Sequence, residues 1–102
     1  MIIIDKAAWQ IDGGIPSDLV VSHFTTVFTW LCRREMLSET GKEELEDGID
    51  DNASLNEEMV TANGLAFLEE CYNEYLMAIG KNKYGIDKFK LKYNHLTKKF
   101  FN

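Results

Sequence analysis

The stretch Asp18-Leu19-Val20-Val21-Ser22-His23-Phe24-Thr25-Thr26-Val27-Phe28-Thr29-Trp30-Leu31 decides the fold class of this 102-residue chain. Val20, Phe24, Val27, Phe28 and Leu31 recur at i, i+4, i+7, i+8 and i+11, which is the stripe of an amphipathic helix. Its β-branched Val and Thr residues lower helix propensity by a few tenths of a kcal/mol each. A strand of about twenty residues, however, lies far beyond the usual strand length. Periodicity and length therefore predict a helix over 18–37, with Ser17 or Asp18 accepting backbone N–H bonds at its start.

Upstream of that helix, the β-branched run Ile2-Ile3-Ile4 predicts an extended arm, which Asp12-Gly13-Gly14 and Ile15-Pro16 punctuate as a turn before Ser17. Downstream, Ser38 to Gly48 predicts a chain break and a short acidic helix, followed by a loop from Ile49 to Ala53. Ser54-Leu55-Asn56-Glu57 has capping-box spacing and predicts another short helix containing Met59 and Val60. Leu65, Leu68, Tyr72, Tyr75, Leu76 and Ile79 mark a second long helix with Gly80 as its C-terminal cap. Phe89, Tyr93, Leu96 and Phe100 mark a third, studded with lysines. The expected architecture is mainly α: three principal helices plus short acidic helices, with an extended N-terminal arm able to form a small β element. Residues 1–102 suit a single domain with one modest core.

Charge is sorted along this chain. Residues 35–74 hold one base and thirteen acids, a balance of −12, whereas residues 75–102 hold seven bases and one acid, a balance of +6. With 45% apolar and 12% aromatic residues, the composition is that of a folded globule and not of a disordered polyelectrolyte. Met1 to Lys6 lacks the features of a secretory signal, and no apolar run approaches the roughly 20 residues of a membrane span. A cytoplasmic protein without membrane contact is the expectation.

The residues that could carry chemistry have plainer readings. Asp12-Gly13-Gly14 lacks the spacing of either nucleotide-binding glycine motif and reads as a turn. Counting an EF-hand from Asp47 puts Ile49 at position 3, Asn52 at position 6 and Glu58 at position 12, so that calcium pattern fails. Glu43 and Glu44, like Glu57 and Glu58, are adjacent and diverge on a helix, which suits a solvated face better than acid–base work. Cys32 and Cys71 read as buried free thiols, since no CxxC pair or His cluster accompanies them. His23 reads as a hydrogen-bonded structural residue tying the arm to the helix, the alternative being a base working with Asp12 or Asp18. His95, among lysines, reads as a solvated surface residue. Aromatics among the C-terminal lysines could stack on nucleic acid. Their common helical face, the absence of arginine after Arg34 and the net charge of −6 favour instead a core face whose lysines offset the acids. No metal or organic cofactor is expected.

Ala7-Ala8-Trp9-Gln10-Ile11-Asp12-Gly13-Gly14-Ile15-Pro16-Ser17-Asp18-Leu19, then Ser22-His23 and the helix Phe24 to Leu31, resembles the N-terminal signature of a family of small uncharacterised bacterial cytoplasmic proteins. Ala62-Asn63-Gly64-Leu65-Ala66-Phe67-Leu68, with Tyr72 and Tyr75, resembles the same family's second block, so the likeness spans most of the chain. Gln10 stands where a histidine is common, and the link from Leu19 to His23 is short, both of which speak against a shared His-based active site. Members are similar to immunity proteins of polymorphic and contact-dependent growth-inhibition toxins. The resemblance implies that role, with a cognate protein toxin as the partner; the sorted charge points to a basic nuclease domain, and with no catalytic constellation in the chain no enzyme activity is expected.

An acidic protein can enter a basic nuclease cleft as a substitute for phosphate. The expected contact surface is Glu39, Glu43, Glu44, Glu46, Asp47, Asp50 and Asp51, with Glu57 and Glu58 beside them. The free protein is expected to be a monomer or weak dimer. Two other readings stay open: a homodimeric regulatory or structural module whose acidic segment faces the basic last helix of a second copy, and a His23-dependent enzyme.

Overall fold

A computed structural model of the protein describes residues 1–79. The third helix, the Gly80 cap and His95 fall outside the described residues. Within them the chain runs β1 (Ile3–Lys6), α1 (Ala7–Asp12), α2 (Ser17–Arg33), α3 (Glu39–Asp47), β2 (Ser54–Asn56) and α4 (Ala62–Ile79). The architecture is mainly helical, with one small antiparallel sheet in which Ile3 faces Asn56, Asp5 faces Leu55 and Lys6 faces Ser54.

The stripe on α2 is the centre of the core: Val20, Phe24, Val27, Phe28 and Leu31 are all buried. Trp30 adds to it by stacking on Phe67 of α4, with ring centroids 5.8 Å apart. Leu68 and Tyr72 lie on the same buried side of α4, and Leu55 of β2 closes the core from the sheet. Truncating any of the buried phenylalanines to alanine would cost about 3–5 kcal/mol in lost transfer energy and cavity formation.

Several expectations need correction. The arm is extended only as far as Lys6, because Ala7 to Asp12 forms a short helix too brief to show periodicity. That helix closes through Gly13 N–H to the Trp9 carbonyl at 3.1 Å and Ile15 N–H to the Gln10 carbonyl at 3.1 Å. Neither Ser17 nor Asp18 caps α2. Pro16 occupies the N-cap position, Leu19 and Val20 donate to its carbonyl, and Asp18 sits in the first turn, where its charge suits the helix dipole. The same helix ends at Arg33 and does not reach residue 37. Glu35 adopts a left-handed conformation at φ 59°, and the reversed chain sends Leu37 into an isolated antiparallel bridge with Val60.

Ser54-Leu55-Asn56 is a strand and not a helix start. The capping-box pattern is a local signal, and pairing with β1 overrides it. Asn56 instead organises the chain after the strand, its side-chain oxygen accepting from the Glu58 N–H at 2.9 Å. The second long helix begins at Ala62, three residues before Leu65, with Asn63-Gly64 inside it and the Thr61 hydroxyl accepting from the Gly64 N–H at 3.1 Å. The acidic helix does form where expected, capped by the Ser38 hydroxyl, which accepts from the Gly41 N–H at 3.1 Å.

Two glycines set how closely these elements approach. A Cβ on Gly41 would lie 2.0 Å from the Met59 carbonyl oxygen, and one on Gly64 would lie 2.7 Å from that of Met36. Both contacts are backbone against backbone, so a larger side chain has nowhere to go. As a result α3 is pressed against the turn after β2, and α4 against the chain leaving α2.

Candidate functional site

Sequence reasoning placed a partner surface on nine carboxylates, and the fold distributes them over three connected pieces. Glu39, Glu43, Glu44, Glu46 and Asp47 ride on α3, Asp50 and Asp51 on the following loop, and Glu57 and Glu58 on the turn after β2. All nine are exposed. On α3, Glu39, Glu43, Glu46 and Asp47 follow i, i+4, i+7, i+8 spacing and share one side, while buried Gly41 and half-buried Leu45 occupy the other. The helix is therefore amphipathic in charge, with an outward face of carboxylates.

Two of the three pieces are fixed to each other. Ser38 N–H donates to the Met59 carbonyl at 3.0 Å, the Ser38 hydroxyl donates to the Glu58 carbonyl, and Gly41 abuts Met59. The turn carrying Glu57 and Glu58 is thereby held at the N-terminal end of α3, although some eighteen positions separate it from Glu39 in sequence. Some of the acids have local work. Glu39 pairs with Lys42 at 3.4 Å, Asp50 accepts from the Asn52 N–H at 2.8 Å in a side-chain turn, and Glu57 accepts from the Ile2 N–H at 2.8 Å. Exposed pairs of the Glu39–Lys42 kind contribute well under about 1 kcal/mol.

Inside lies a cluster that sequence reasoning saw only at His23, expected to be hydrogen-bonded and to tie the arm to the helix. Asp5 of β1, Gln10 of α1, His23 of α2 and Tyr72 of α4 meet in one hydrogen-bonded chain, with Asp5 only 5% exposed, His23 3% and Tyr72 1%. His23 Nε2 lies 2.8 Å from the Tyr72 hydroxyl, and that hydroxyl donates to Asp5 Oδ2 at 3.0 Å. Gln10 Nε2 also donates to Oδ2, while the Lys6 N–H donates to Oδ1 at 2.8 Å. Three donors thus converge on one buried carboxylate, the arrangement that makes a charge tolerable away from water.

Burial dominates the protonation of both ends. It pushes the Asp5 carboxyl above its ordinary 3.8, even though Gln10, Tyr72 and the Lys6 N–H pull the other way. It also pushes the His23 imidazole down to about 3. His23 is therefore neutral at physiological pH. Its link to the arm passes through Tyr72 to Asp5, while Asp12 and Asp18 are exposed at the end of α1 and the start of α2. Asp5, placed directly after three isoleucines, and Tyr72, on the apolar stripe of α4, were the available signals for this cluster.

Cys32 is a free, half-buried thiol against the core. Among the described residues no group of three or more His, Cys, Asp and Glu side chains is arranged to hold a metal ion, and no helix is long and apolar enough to cross a membrane. Comparison with protein-family models, with curated proteins and with solved structures yields no match.

Proposed function

We propose that this chain is an immunity protein that binds a cognate bacterial toxin through its acidic surface and blocks it, acting in the cytoplasm and performing no reaction itself. The observation that carries this reading is the outward carboxylate face of α3, joined to Glu57 and Glu58 by a backbone contact that leaves no room for a side chain at Gly41. A surface of this kind presents several negative charges in a fixed arrangement, which suits a basic nuclease cleft built to hold phosphates. The resemblance of the Ala7 to Leu19, Ser22 to Leu31 and Ala62 to Leu68 segments, with Tyr72 and Tyr75, to immunity-like proteins is the second ground for this reading.

Exposed charges raise the association rate and select partners, whereas apolar anchors slow dissociation. Ile2 adjoins this surface as such an anchor. Ile2, 43% exposed, is bonded to Glu57 through main chain and side chain alike, and Ile3, 36% exposed, opens β1 opposite Asn56. Trp9 is exposed to 54% with the Lys6 ammonium 5.9 Å from its ring.

The test is protection in co-expression. A candidate toxin domain is expressed with the wild-type chain or with the Glu43→Lys, Glu46→Lys, Asp47→Lys triple variant. Growth with the wild type and arrest with the folded triple variant is the expected result. Equal protection by both would rule out the acidic face as the means of recognition, and arrest with both would rule out immunity to that toxin.

A further inference from the structure

The two-stranded sheet leaves each strand with one unpaired edge among the described residues, and the two edges differ. On β2 the polar groups around Asn56 are taken up by the strand and its own turn. The Asn56 carbonyl accepts from the Met59 N–H at 3.0 Å, its side-chain oxygen accepts from the Glu58 N–H at 2.9 Å, and its side-chain amide donates to the Ser54 hydroxyl at 3.0 Å. On β1 the register fixes which groups point outward. The Glu57 N–H donates to the Ile2 carbonyl at 2.9 Å and the Ile2 N–H donates to the Glu57 carboxylate at 2.8 Å, so the Ile2 backbone is turned toward β2. Backbone groups alternate sides along a strand, and Ile3, opposite Asn56 in a non-hydrogen-bonded pair, therefore turns its N–H and C=O away from β2.

The side chains of this edge do nothing to discourage a further strand. Edge strands are commonly guarded by lysine, proline or an inward-pointing charge, whereas Ile2, Ile3 and Ile4 supply none of these, and Ile2 and Ile3 are exposed. Ile4 packs against the core, which puts Ile3 on the opposite face of the strand. The irregularity between Ile3 and Asp5 breaks the regular pleat and confines the open run to Ile2, Ile3 and Ile4.

We propose that this edge pairs with the same edge of a second copy, β1 against β1 in antiparallel sense about a two-fold axis at Ile3, giving a four-stranded sheet in the order β2-β1-β1-β2. The edge is complementary to itself. On such an axis the Ile3 N–H of each copy donates to the Ile3 carbonyl of the other, Ile3 lies opposite Ile3, and Ile2 lies opposite Ile4. The same axis runs Lys6 of each copy toward the Ile2 end of the other, where Glu57 and Glu58 stand exposed, so unlike charges meet across the join. Size and net charge keep the dimer weak, since three residues of edge bury well under the roughly 1,000 Å² of a stable interface and each copy carries −6. The inference does not rest on the toxin-binding reading, because it uses the edge of the sheet and not the outward face of α3.

Sedimentation equilibrium of the full chain from about 20 μM to about 2 mM tests the pairing, with hydrogen exchange at the Ile3 amide followed by NMR over the same range. The wild type should pass from monomer to dimer with a Kd of about 0.1–1 mM, and exchange at Ile3 should slow at least about twofold as the dimer fills. Ile3→Lys changes an exposed side chain and should give a folded monomer at every concentration. Ile3→Pro removes only the outward N–H, a change that an edge strand tolerates, and should do the same. Ile3→Val keeps both the shape and the backbone groups and should dimerise like the wild type. A wild-type chain that is monomeric at about 2 mM overturns the proposal. So does a dimer that forms without slowing exchange at Ile3, or one that survives in folded Ile3→Lys, since its interface would lie elsewhere.

Discussion

The acids of α3 and the acid of β1 are the same chemical group put to opposite uses. Glu43, Glu46 and Asp47 stand in water on one face of a short helix, where each keeps its solvation and costs the fold almost nothing. Asp5 is 5% exposed and relies on three donors to replace the water it has lost. Stability is therefore concentrated where the sequence has few charges, and the proposed recognition where it has many. Substitutions in the two regions should separate cleanly, with folding lost in one and binding lost in the other.

The largest effect that tests this separation is acid sensitivity. In the unfolded chain His23 binds a proton near its ordinary 6.5, whereas in the native protein it does so at about 3, so the unfolded state holds more protons between those values. The His23 contribution is fully present above pH 6.5 and is lost as pH falls toward 3, at roughly 1.4 kcal/mol per pH unit and about 5 kcal/mol across the window. The raised Asp5 works in the opposite sense, contributing stability below 3.8 that is lost as pH rises through its native value, and so offsets part of the decline. Urea titrations of wild type and a His23→Gln variant between about pH 7 and pH 4 should show the wild type losing stability more steeply. Parallel curves would mean that His23 is not the acid-sensitive group.

Next in size is removal of the buried acceptor. Asp5→Ala leaves the Lys6 N–H, the Gln10 amide and the Tyr72 hydroxyl without their carboxylate, at about 3 kcal/mol. Thermal melts should place it well below Asp5→Asn, which keeps an acceptor oxygen. Gly41→Ala follows, at about 2 kcal/mol, because its Cβ collides with the Met59 carbonyl. It is the one change that couples the two regions. By prising α3 from the turn carrying Glu57 and Glu58, it should weaken partner binding as well as lower the melting temperature. Smallest of all on stability is charge reversal at Glu43, Glu46 and Asp47, expected to stay within about 0.5 kcal/mol per site by urea titration. A larger loss there would mean that the acidic helix supports the fold after all.

How much of this was legible in the sequence follows the same division. The five core positions of α2 announce themselves by spacing because a long helix repeats its buried face several times. The exposed acids are likewise visible, since nothing in the fold had to be known to find an acidic run between Glu35 and Glu58. Short and non-local features were not visible. Ala7 to Asp12 is under two turns and shows no period, and Ser54 to Asn56 carries a helix-start pattern that only the Ile-rich strand some fifty positions away overrules. The Asp5–Tyr72–His23 chain joins partners 67 and 49 positions apart, with nothing local to suggest that they meet. His23 is hydrogen-bonded as its sequence setting suggested and does reach the arm, at Asp5, but through a Tyr72 that nothing local pointed to.

The most direct measurement is the affinity of the wild-type chain and of the Glu43→Lys, Glu46→Lys, Asp47→Lys variant for the toxin domain that the proposed function calls for, by calorimetry at about 50 mM and about 300 mM salt. The account predicts a wild-type Kd that rises with salt and a variant Kd at least about a hundredfold weaker at low salt, with melting temperatures nearly equal. A variant that is folded and binds as tightly as the wild type at both salt concentrations would contradict it.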